Sequence, residues 1–440
     1  MVSRTIGRFA LTLCASSVLA SQAATAGLFD EGQATLRYAN YPWIGDTLDE
    51  AENVPSYKEG EWTHALELKY SSGYLKDFIG FDVGAYGVDT LATKDDATRF
   101  QNIQDEDDDG YGGLNNLYLK AKWQVAGVSF NAGYGKKRRT SHLYDDSNTR
   151  IIDATTVGAD VSFSGKSWNA YSTFFNKASQ RNQDDFGNDL ETFQGEKIDY
   201  IGLAGGSFKP TDNLRLDAEY LEAKDYIRRS FFGVNYLTPI SPEQSLIWDA
   251  RYGTMNDAGS LFERDSLGQY ANDPDGLDAS FNQLALTYKN ARLGVTGGVW
   301  RSDVSGGDFN RLLFKEDHGW WDSDSRLWQW FALEGETAYG LSATQDFARY
   351  GLPGFSFTVI GARSNDADGF DGFSRQEWRT IAVYQFQSAI LKGLSIAWLH
   401  IDHRAEGTPD GVRRTGTVAG PAALAQGIAD RVYMNYIVKF

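Results

Sequence analysis

The sequence predicts an all-β fold, a transmembrane up-and-down antiparallel β-barrel of 18 strands. Three observations lead to this prediction. Apolar and polar residues alternate in blocks of about ten residues between Gly27 and Phe440. The blocks are joined alternately by short turns and by long acidic, glycine-rich segments, as in outer-membrane barrels. A tilted strand of about ten residues is also long enough to cross the hydrocarbon layer.

The composition argues against several other classes of protein. The 440 residues include 42 basic and 59 acidic side chains, and the net charge of -17 repels polyanions such as nucleic acids. A hydrophobic fraction of 42% with 14% aromatics is enough to bury a core, which argues against a disordered chain. Beyond the N-terminus no run of 18 apolar residues predicts a transmembrane helix.

The N-terminus has the three parts of a secretory signal peptide. They are the basic residues Arg4 and Arg8, the apolar run Phe9 to Leu19, and the A-x-A site Ala24-Thr25-Ala26. We therefore expect residues 1–26 to be removed and residues 27–440 to form a single barrel domain. The one cysteine, Cys14, lies in the removed segment, so the mature chain has no disulfide framework.

Eighteen blocks are candidates for barrel strands. They are Ala34-Tyr41, Trp62-Tyr70, Phe78-Val88, Leu117-Trp123, Val128-Tyr134, Val157-Phe163, Trp168-Phe175, Asp199-Phe208, Leu214-Glu222, Ser230-Leu237, Ser245-Tyr252, Ser280-Tyr288, Ala291-Trp300, Ala338-Phe347, Phe355-Arg363, Trp378-Phe386, Leu394-Asp402 and Arg431-Phe440. The expected long loops are 89–115, 176–197, 253–278, 301–335 and 364–376.

The last block indicates how the barrel closes. Its alternate residues from Val432 to Phe440 are apolar, whereas Arg431 and Asn435 fall on the opposite face. No strand edge can remain unpaired in a bilayer, so the first strand should pair with the last. Arg37 and Arg431 would then face the same lumen.

Metal and enzyme signals are weak. Asp105, Asp107 and Asp109 match the first half of a calcium-binding loop, but Asn116 stands where the bidentate Glu is required. A solvated acidic loop is the favoured interpretation. The sequence has no G-x-S-x-G elbow and no phosphate-binding loop, so it gives no anchor for nucleophilic or nucleotide chemistry.

A basic run at 136–139 stands out in this acidic chain. It consists of Lys136, Lys137, Arg138 and Arg139, and is followed by Asp145, Asp146 and Arg150. One interpretation is a loop folded into the lumen, whose charges act on a passing solute. The other is a patch at the rim that binds lipopolysaccharide or pairs with nearby Asp residues. The sequence does not decide between them.

Tryptophans are concentrated around residues 300–330. Most tryptophans near strand ends belong to the interfacial girdle. Trp320 and Trp321 lie in the middle of the predicted loop beside Asp322, Asp324 and Arg326, and could stack on a sugar or an aromatic solute. Girdle or loop packing is the favoured interpretation, and solute stacking is the alternative.

Several motifs resemble those of the OprD family of substrate-specific outer-membrane porins. They are Asp199-Tyr200-Ile201-Gly202 followed by Pro210-Thr211-Asp212-Asn213-Leu214, Glu243-Gln244-Ser245-Leu246, the turn Tyr350-Gly351-Leu352-Pro353-Gly354, and the strand from Leu394-Ser395 to His403-Arg404. The resemblance covers essentially the whole mature chain.

The resemblance implies an 18-stranded barrel whose third loop folds inward as a constriction, with a row of basic residues guiding a carboxylate. Arg37 and Arg431 match positions of that row, and Arg150, in the inward loop, matches the family's arginine before an apolar residue and a proline. Two departures stand out: the family's proline after Arg150 is missing, and Ala397 and Leu399 replace two lumenal arginines. The barrel wall thus has fewer basic residues than is usual in the family, and the 136–139 run could supply the missing charges from the loop.

From these features we expect a bacterial outer-membrane channel for passive diffusion, without catalysis or a cofactor. Its predicted solutes are small anions or zwitterions such as carboxylates and amino acids, guided by these cations and Arg379. The alternatives are a channel for oligosaccharides or aromatic acids and, remotely, a barrel enzyme. Expected partners are outer-membrane lipid, lipopolysaccharide and the barrel-assembly machinery, and the expected state is a monomer or loose homotrimer.

Overall fold

The computed structural model describes residues 27–48, 57–105, 110–265, 276–309, 313–315, 317, 320–410 and 421–440. Its strands are β1 (Gln33–Leu48), β2 (Lys58–Ser71), β3 (Ile79–Thr93), β4 (Tyr111–Val125), β5 (Val128–Lys137), β6 (Thr155–Ser164), β7 (Trp168–Ser179), β8 (Asn188–Glu191), β9 (Lys197–Ile198), β10 (Ile201–Thr211), β11 (Leu214–Ala223), β12 (Ile227–Ser241), β13 (Gln244–Asp257), β14 (Asp278–Asn290), β15 (Val295–Ser305), β16 (Thr337–Asp346), β17 (Phe355–Asn365), β18 (Phe370–Gln385), β19 (Leu394–Pro409) and β20 (Gln426–Lys439).

Eighteen of these strands form a closed antiparallel barrel, as predicted. β8 and β9 form a small hairpin in the segment between β7 and β10, which pair directly with each other. Closure joins β1 to β20, with Tyr38 opposite Tyr436 and Arg37 opposite Ile437. The predicted pairing of the first strand with the last is confirmed, and each of the eighteen predicted blocks overlaps one barrel strand.

The period-two pattern separates a lipid-facing surface from the lumen. On β4, Leu117 and Leu119 are 47% and 54% exposed, whereas Tyr118 between them is 8% exposed. The Tyr118 hydroxyl donates a hydrogen bond to Asp160 of β6 at 3.0 Å, inside the barrel. Successive side chains of a strand point to opposite faces, so this alternation assigns the apolar residues to lipid.

One end of the barrel carries only short or moderate turns. Ala126-Gly127 joins β4 to β5 in two residues with φ angles of 49° and 81°, the positive values that a tight hairpin turn requires. At the opposite end of the barrel, the prediction of a long loop at 364–376 is wrong, because β17 ends at Asn365 and β18 begins at Phe370. Asp366 and Gly369, with φ angles of 67° and 81°, reverse the chain there within four residues.

Helical structure is minor. It comprises α1 (Ser260–Asp265) and the 3-10 turns Ala348–Tyr350, Ala389–Leu391 and Pro421–Leu424. Within the described ranges, no helix is both long and apolar enough to cross a membrane. The expected signal peptide at 1–26, as well as Asp107 and Asp109, lie outside the described residues.

The facing assignment predicts unequal effects of a buried charge. Leu119→Arg places a guanidinium near the middle of the lipid-facing band, and we expect it to lower the free energy of unfolding by about 2–4 kcal/mol. Ser162→Arg, on the lumenal side of β6, is the control and should change it by less than about 1 kcal/mol. Urea unfolding of protein refolded into lipid vesicles measures both, and equal losses would contradict the assignment.

Candidate functional site

The segment 138–154 between β5 and β6, here called the inward loop, crosses the barrel lumen. At one end Arg37 of β1 donates a hydrogen bond from Nη1 to the Ile151 carbonyl at 2.9 Å. At the other end Glu219 of β11 accepts hydrogen bonds from the Ser141 hydroxyl at 2.7 Å and the Leu143 amide at 2.8 Å. β1 and β11 lie on opposite sides of the barrel, so the loop divides the passage.

The inward loop begins as a small hairpin held by its own charges. The Asp146 amide donates to the Arg139 carbonyl at 2.8 Å, and the Asp146 carboxylate accepts the Arg139 amide at 2.7 Å. Arg138 forms an ion pair with Asp145 at 2.6 Å. The Arg139 guanidinium forms an ion pair with Asp160 on β6 at 2.9 Å. The basic run and the acidic pair that follows it therefore fold against each other.

Apolar side chains fasten both halves of the inward loop. Leu143 and Tyr144 are buried in a cluster that includes Phe175. Ile151 and Ile152 are buried against the wall cluster around Trp43. Burial of a large apolar side chain stabilises by about 1.5–3 kcal/mol, so these contacts hold the loop independently of its charges.

A second segment, 306–336 between β15 and β16, is here called the tryptophan loop, and its described residues also enter the lumen. Its Asp322 accepts a hydrogen bond from Arg251 of β13 at 2.9 Å. Its Trp328 amide donates to Glu377 of β18 at 2.9 Å. The tryptophan loop thus bridges two wall regions, and the passage lies between it, the inward loop and the wall.

His142 joins the two loops. Its Nδ1 lies 2.7 Å from Asp322, and its ring stacks on Phe231 with centroids 4.4 Å apart. Burial disfavours the charged imidazole, but the carboxylates of Asp217 and Asp322 outweigh this effect and raise the pKa of His142 from 6.5 to about 9. At neutral pH the two loops are therefore linked by a charged pair.

The predicted pathway cations differ in their surroundings. Lys137, Arg138, Arg37 and Arg379 keep 30%, 32%, 17% and 18% of their side-chain surface exposed, and each forms an ion pair with a neighbouring acid. Arg326, which the sequence reasoning did not select, is half-buried between the loops. It lies within electrostatic range of Asp145, Asp322 and Arg379. These five cations are called the lumenal cations below.

Three other predicted residues serve mainly as supports. Arg139 is buried against Asp160. Arg431 is buried with Glu59 at 2.9 Å, and Arg150 donates a 3.0 Å hydrogen bond from Nε to Gln101. The guanidinium carbons of Arg431 and Arg150 lie 4.3 and 4.9 Å from the centre of the Trp43 ring.

Lys136 lies on the other side of the wall. It is paired with Leu117, whose side chain is exposed on the lipid-facing surface, and it is 1% exposed. Its ammonium donates to the Asp185 carbonyl at 3.0 Å. Strand alternation thus separates Lys136 from Lys137, which faces Asp160 in the lumen.

The two loop tryptophans have different environments. Trp321 is 1% exposed and packs against Phe309 and Trp330, as the packing interpretation predicts. Trp320 is half-buried, and the Arg326 guanidinium carbon lies 3.2 Å from the centre of its ring. Only Trp320 remains a candidate for contact with a solute.

Metal-binding clusters are not apparent in the described ranges, where no group of three or more His, Cys, Asp or Glu side chains could hold an ion.

Two site residues could have been found from strand parity. Asp217 and Glu219 alternate with apolar residues on β11 and so face the lumen. Asp322 and Arg326 lie in an irregular loop, where the sequence carries no periodic signal for their direction.

A closed barrel with apolar residues outside and charged loops across a polar lumen defines an outer-membrane channel protein. The sequence matches the family described as "outer membrane porin, OprD family" over residues 26–414. The chain belongs to this family, which confirms the resemblance, and it is a protein of the bacterial outer membrane. The family and the fold are those of channels rather than enzymes.

Individual relatives agree with this assignment. The chain is 24% identical to Porin D of Pseudomonas aeruginosa over 375 residues, covering 81% of this chain and 78% of the relative. It is 25% identical to Chitoporin of Escherichia coli over 341 residues, covering 71% and 68%. The crystal structure of Pseudomonas aeruginosa OpdK with vanillate has the same fold, with a TM-score of 0.72, 16% identity and coverage of 94% and 100%.

The His142 geometry predicts a pH-dependent link between the loops. Since its pKa is higher in the folded protein than the ordinary 6.5, its contribution to stability is complete below about pH 6.5 and is lost as the pH rises through about 9. Single-channel current fluctuations should therefore increase roughly two- to fivefold between pH 8 and 10, because loss of about 1 kcal/mol of loop contact raises the population of the released loop by up to about that factor.

His142→Gln should already fluctuate at pH 7 and show no further step. His400→Gln is the matched control, because His400 lies on the outer wall beside Asp430 at 3.0 Å. Identical pH profiles for wild type and His142→Gln would contradict the role of this contact.

Proposed function

We propose that the protein is a diffusion channel selective for small anionic or zwitterionic solutes. The observation that supports this proposal is the convergence of Arg138, Arg326 and Arg379, which come from the inward loop, the tryptophan loop and β18. Asp145 lies within electrostatic range of both Arg138 and Arg326. Cations grouped in a narrow, poorly hydrated passage lower the free energy of a passing carboxylate.

The alternation of charge suits solutes that carry both signs. Asp145 and Asp322 lie among the arginines and can attract an ammonium group while the arginines attract a carboxylate. A fully cationic passage would bind an anion tightly and release it slowly, whereas conduction requires binding sites weak enough for the solute to leave them. The neighbouring acids reduce the depth of that binding.

Arg139 and Lys136 have no direct part in this proposal. Arg139 supports the hairpin through Asp160 and Thr156, and Lys136 is covered outside the barrel. We further propose that Arg37 guides solute while it holds the Ile151 carbonyl, and that the channel carries no catalytic activity.

Neutralising one lumenal cation should reduce anion preference. For Arg138→Gln we expect the anion-to-cation permeability ratio to fall about three- to tenfold, because one charge near the passage contributes on the order of 1 kcal/mol. The measurement is the reversal potential under a salt gradient in planar bilayers. Arg301→Gln removes the same charge on the outer wall, where the Arg301 side chain is 56% exposed beside Tyr339, and is the matched control. Equal ratios for both variants would refute the lumenal role of Arg138.

A channel for aromatic acids is a second candidate, favoured by the contact between Trp320 and Arg326. An aromatic ring could pack beside the indole while its carboxylate pairs with the guanidinium. Vanillate, which is present in the crystal structure of Pseudomonas aeruginosa OpdK, is such an acid.

This candidate predicts selective current block. Benzoate should block the wild-type current, and Trp320→Ala should weaken that block by about fivefold, the effect of losing about 1 kcal/mol of ring contact. Acetate block should be unchanged. Trp62→Ala, a substitution on the outer wall, is the control, and undiminished benzoate block in Trp320→Ala would count against this candidate.

A further inference from the structure

The outer wall carries two arginines whose positions the channel does not explain. Arg301 of β15 is paired with Tyr339 of β16, and Tyr339 is paired with Arg363 of β17. Paired residues point to the same face, and Tyr339 is 50% exposed outside the barrel. The Arg301 side chain is 56% exposed, and its guanidinium carbon lies 5.7 Å from the centre of the Tyr339 ring.

These arginines lie at the boundary between the apolar band and the polar rim. Two residues further toward the loop end, the outward-facing residues of the same three strands are polar. They are Asp303, Thr337 and Asn365. Two residues toward the turn end, the outward-facing residues are Val299, Leu341 and Gly361. The Trp378 ring lies across Gly361.

Arg301 and Arg363, with Tyr339 between them, are called the cationic row below. Their height in the membrane agrees with this boundary. Arg363 follows Phe355, at the turn end of β17, by eight residues. At about 3.4 Å per residue and a strand tilt near 40°, this separation corresponds to about 20 Å across the bilayer. The arginines therefore lie near the outer-leaflet edge of the apolar band, which is about 25 Å tall.

The charges of the row are incompletely balanced. Arg301 pairs with Asp303 of its own strand at 2.7 Å. For Arg363, the described part of the chain offers no ion-pair or hydrogen-bond partner within bonding distance. An arginine at the edge of hydrocarbon is stabilised by an anion, and phosphate matches the guanidinium geometry well.

An apolar groove adjoins the row on the lipid side. Its volume is about 490 Å³. It is lined by Tyr236, Trp248, Leu284, Leu286, Val299 and Tyr339, and Arg301 also lines it. The groove therefore runs from the lipid-facing surface up to the cationic row.

We propose that this surface is a binding site for a phosphorylated glycolipid of the outer leaflet, the lipid A part of lipopolysaccharide. A lipid phosphate would lie between Arg301 and Arg363, and an acyl chain would occupy the groove. The two arginines are two strands apart, about 10 Å at the backbone, so their long side chains can converge on one phosphate. The site is independent of solute permeation.

Lipid binding to the purified protein in detergent tests this proposal by native mass spectrometry. The probe is diphosphorylated lipid A, with dephosphorylated lipid A and inorganic phosphate as comparisons. We expect R301Q/R363Q to weaken retention of diphosphorylated lipid A at least tenfold. R349Q is the matched control, since Arg349 also lies near a tyrosine, 5.1 Å from the centre of the Tyr350 ring, but at the turn end.

Each outcome decides the proposal. Weak binding by R301Q/R363Q with normal binding by wild type and R349Q supports it, provided that inorganic phosphate does not compete at equal concentration. Equal retention by all three proteins overturns it, as does equal retention of dephosphorylated lipid A or displacement by free phosphate. Unchanged single-channel conductance of the double variant shows that the barrel is intact.

Discussion

The structure depends on the hydrogen bonds that join β1 to β20. Inside a bilayer an unpaired strand edge leaves amide and carbonyl groups without water, and each such group costs several kcal/mol. Only a closed circuit of strands avoids this cost. The closing pair runs from Thr35 opposite Lys439 to Leu48 opposite Gln426, so the two ends of the chain meet along most of the membrane thickness.

Closure turns one face of every strand toward a confined interior, and that interior is organised by charge. Most lumenal cations lie beside an acid, as in the pairs Arg138–Asp145 and Arg379–Glu377. Removing one member of a buried pair leaves the other charge poorly solvated. These pairs therefore hold the loops in position and also set the electrostatic field of the passage. The same residues thus determine the shape of the passage and its electrostatics.

Strand number, strand facing and the barrel seam could be predicted from the sequence because a period of two residues is a local property. The positions of Asp322 and Arg326 could not, since irregular loops carry no such period and their directions depend on distant partners such as Arg251. The basic run 136–139 reads as one patch in the sequence. In the structure only its first two residues lie on β5, where Lys136 faces outside and Lys137 faces inside, and Arg138 and Arg139 belong to the inward loop.

The inward loop has a consequence for how the barrel is assembled. Its wall contacts come from early, middle and late parts of the chain, because Arg37, which holds Ile151, is itself held by Asn435 of the last strand at 2.9 Å. Glu219 and Asp322 hold the other half. The constriction of the passage is therefore completed only when the final strand has paired with the first. A barrel whose seam is still open is more permeable to ions and solutes than the finished barrel.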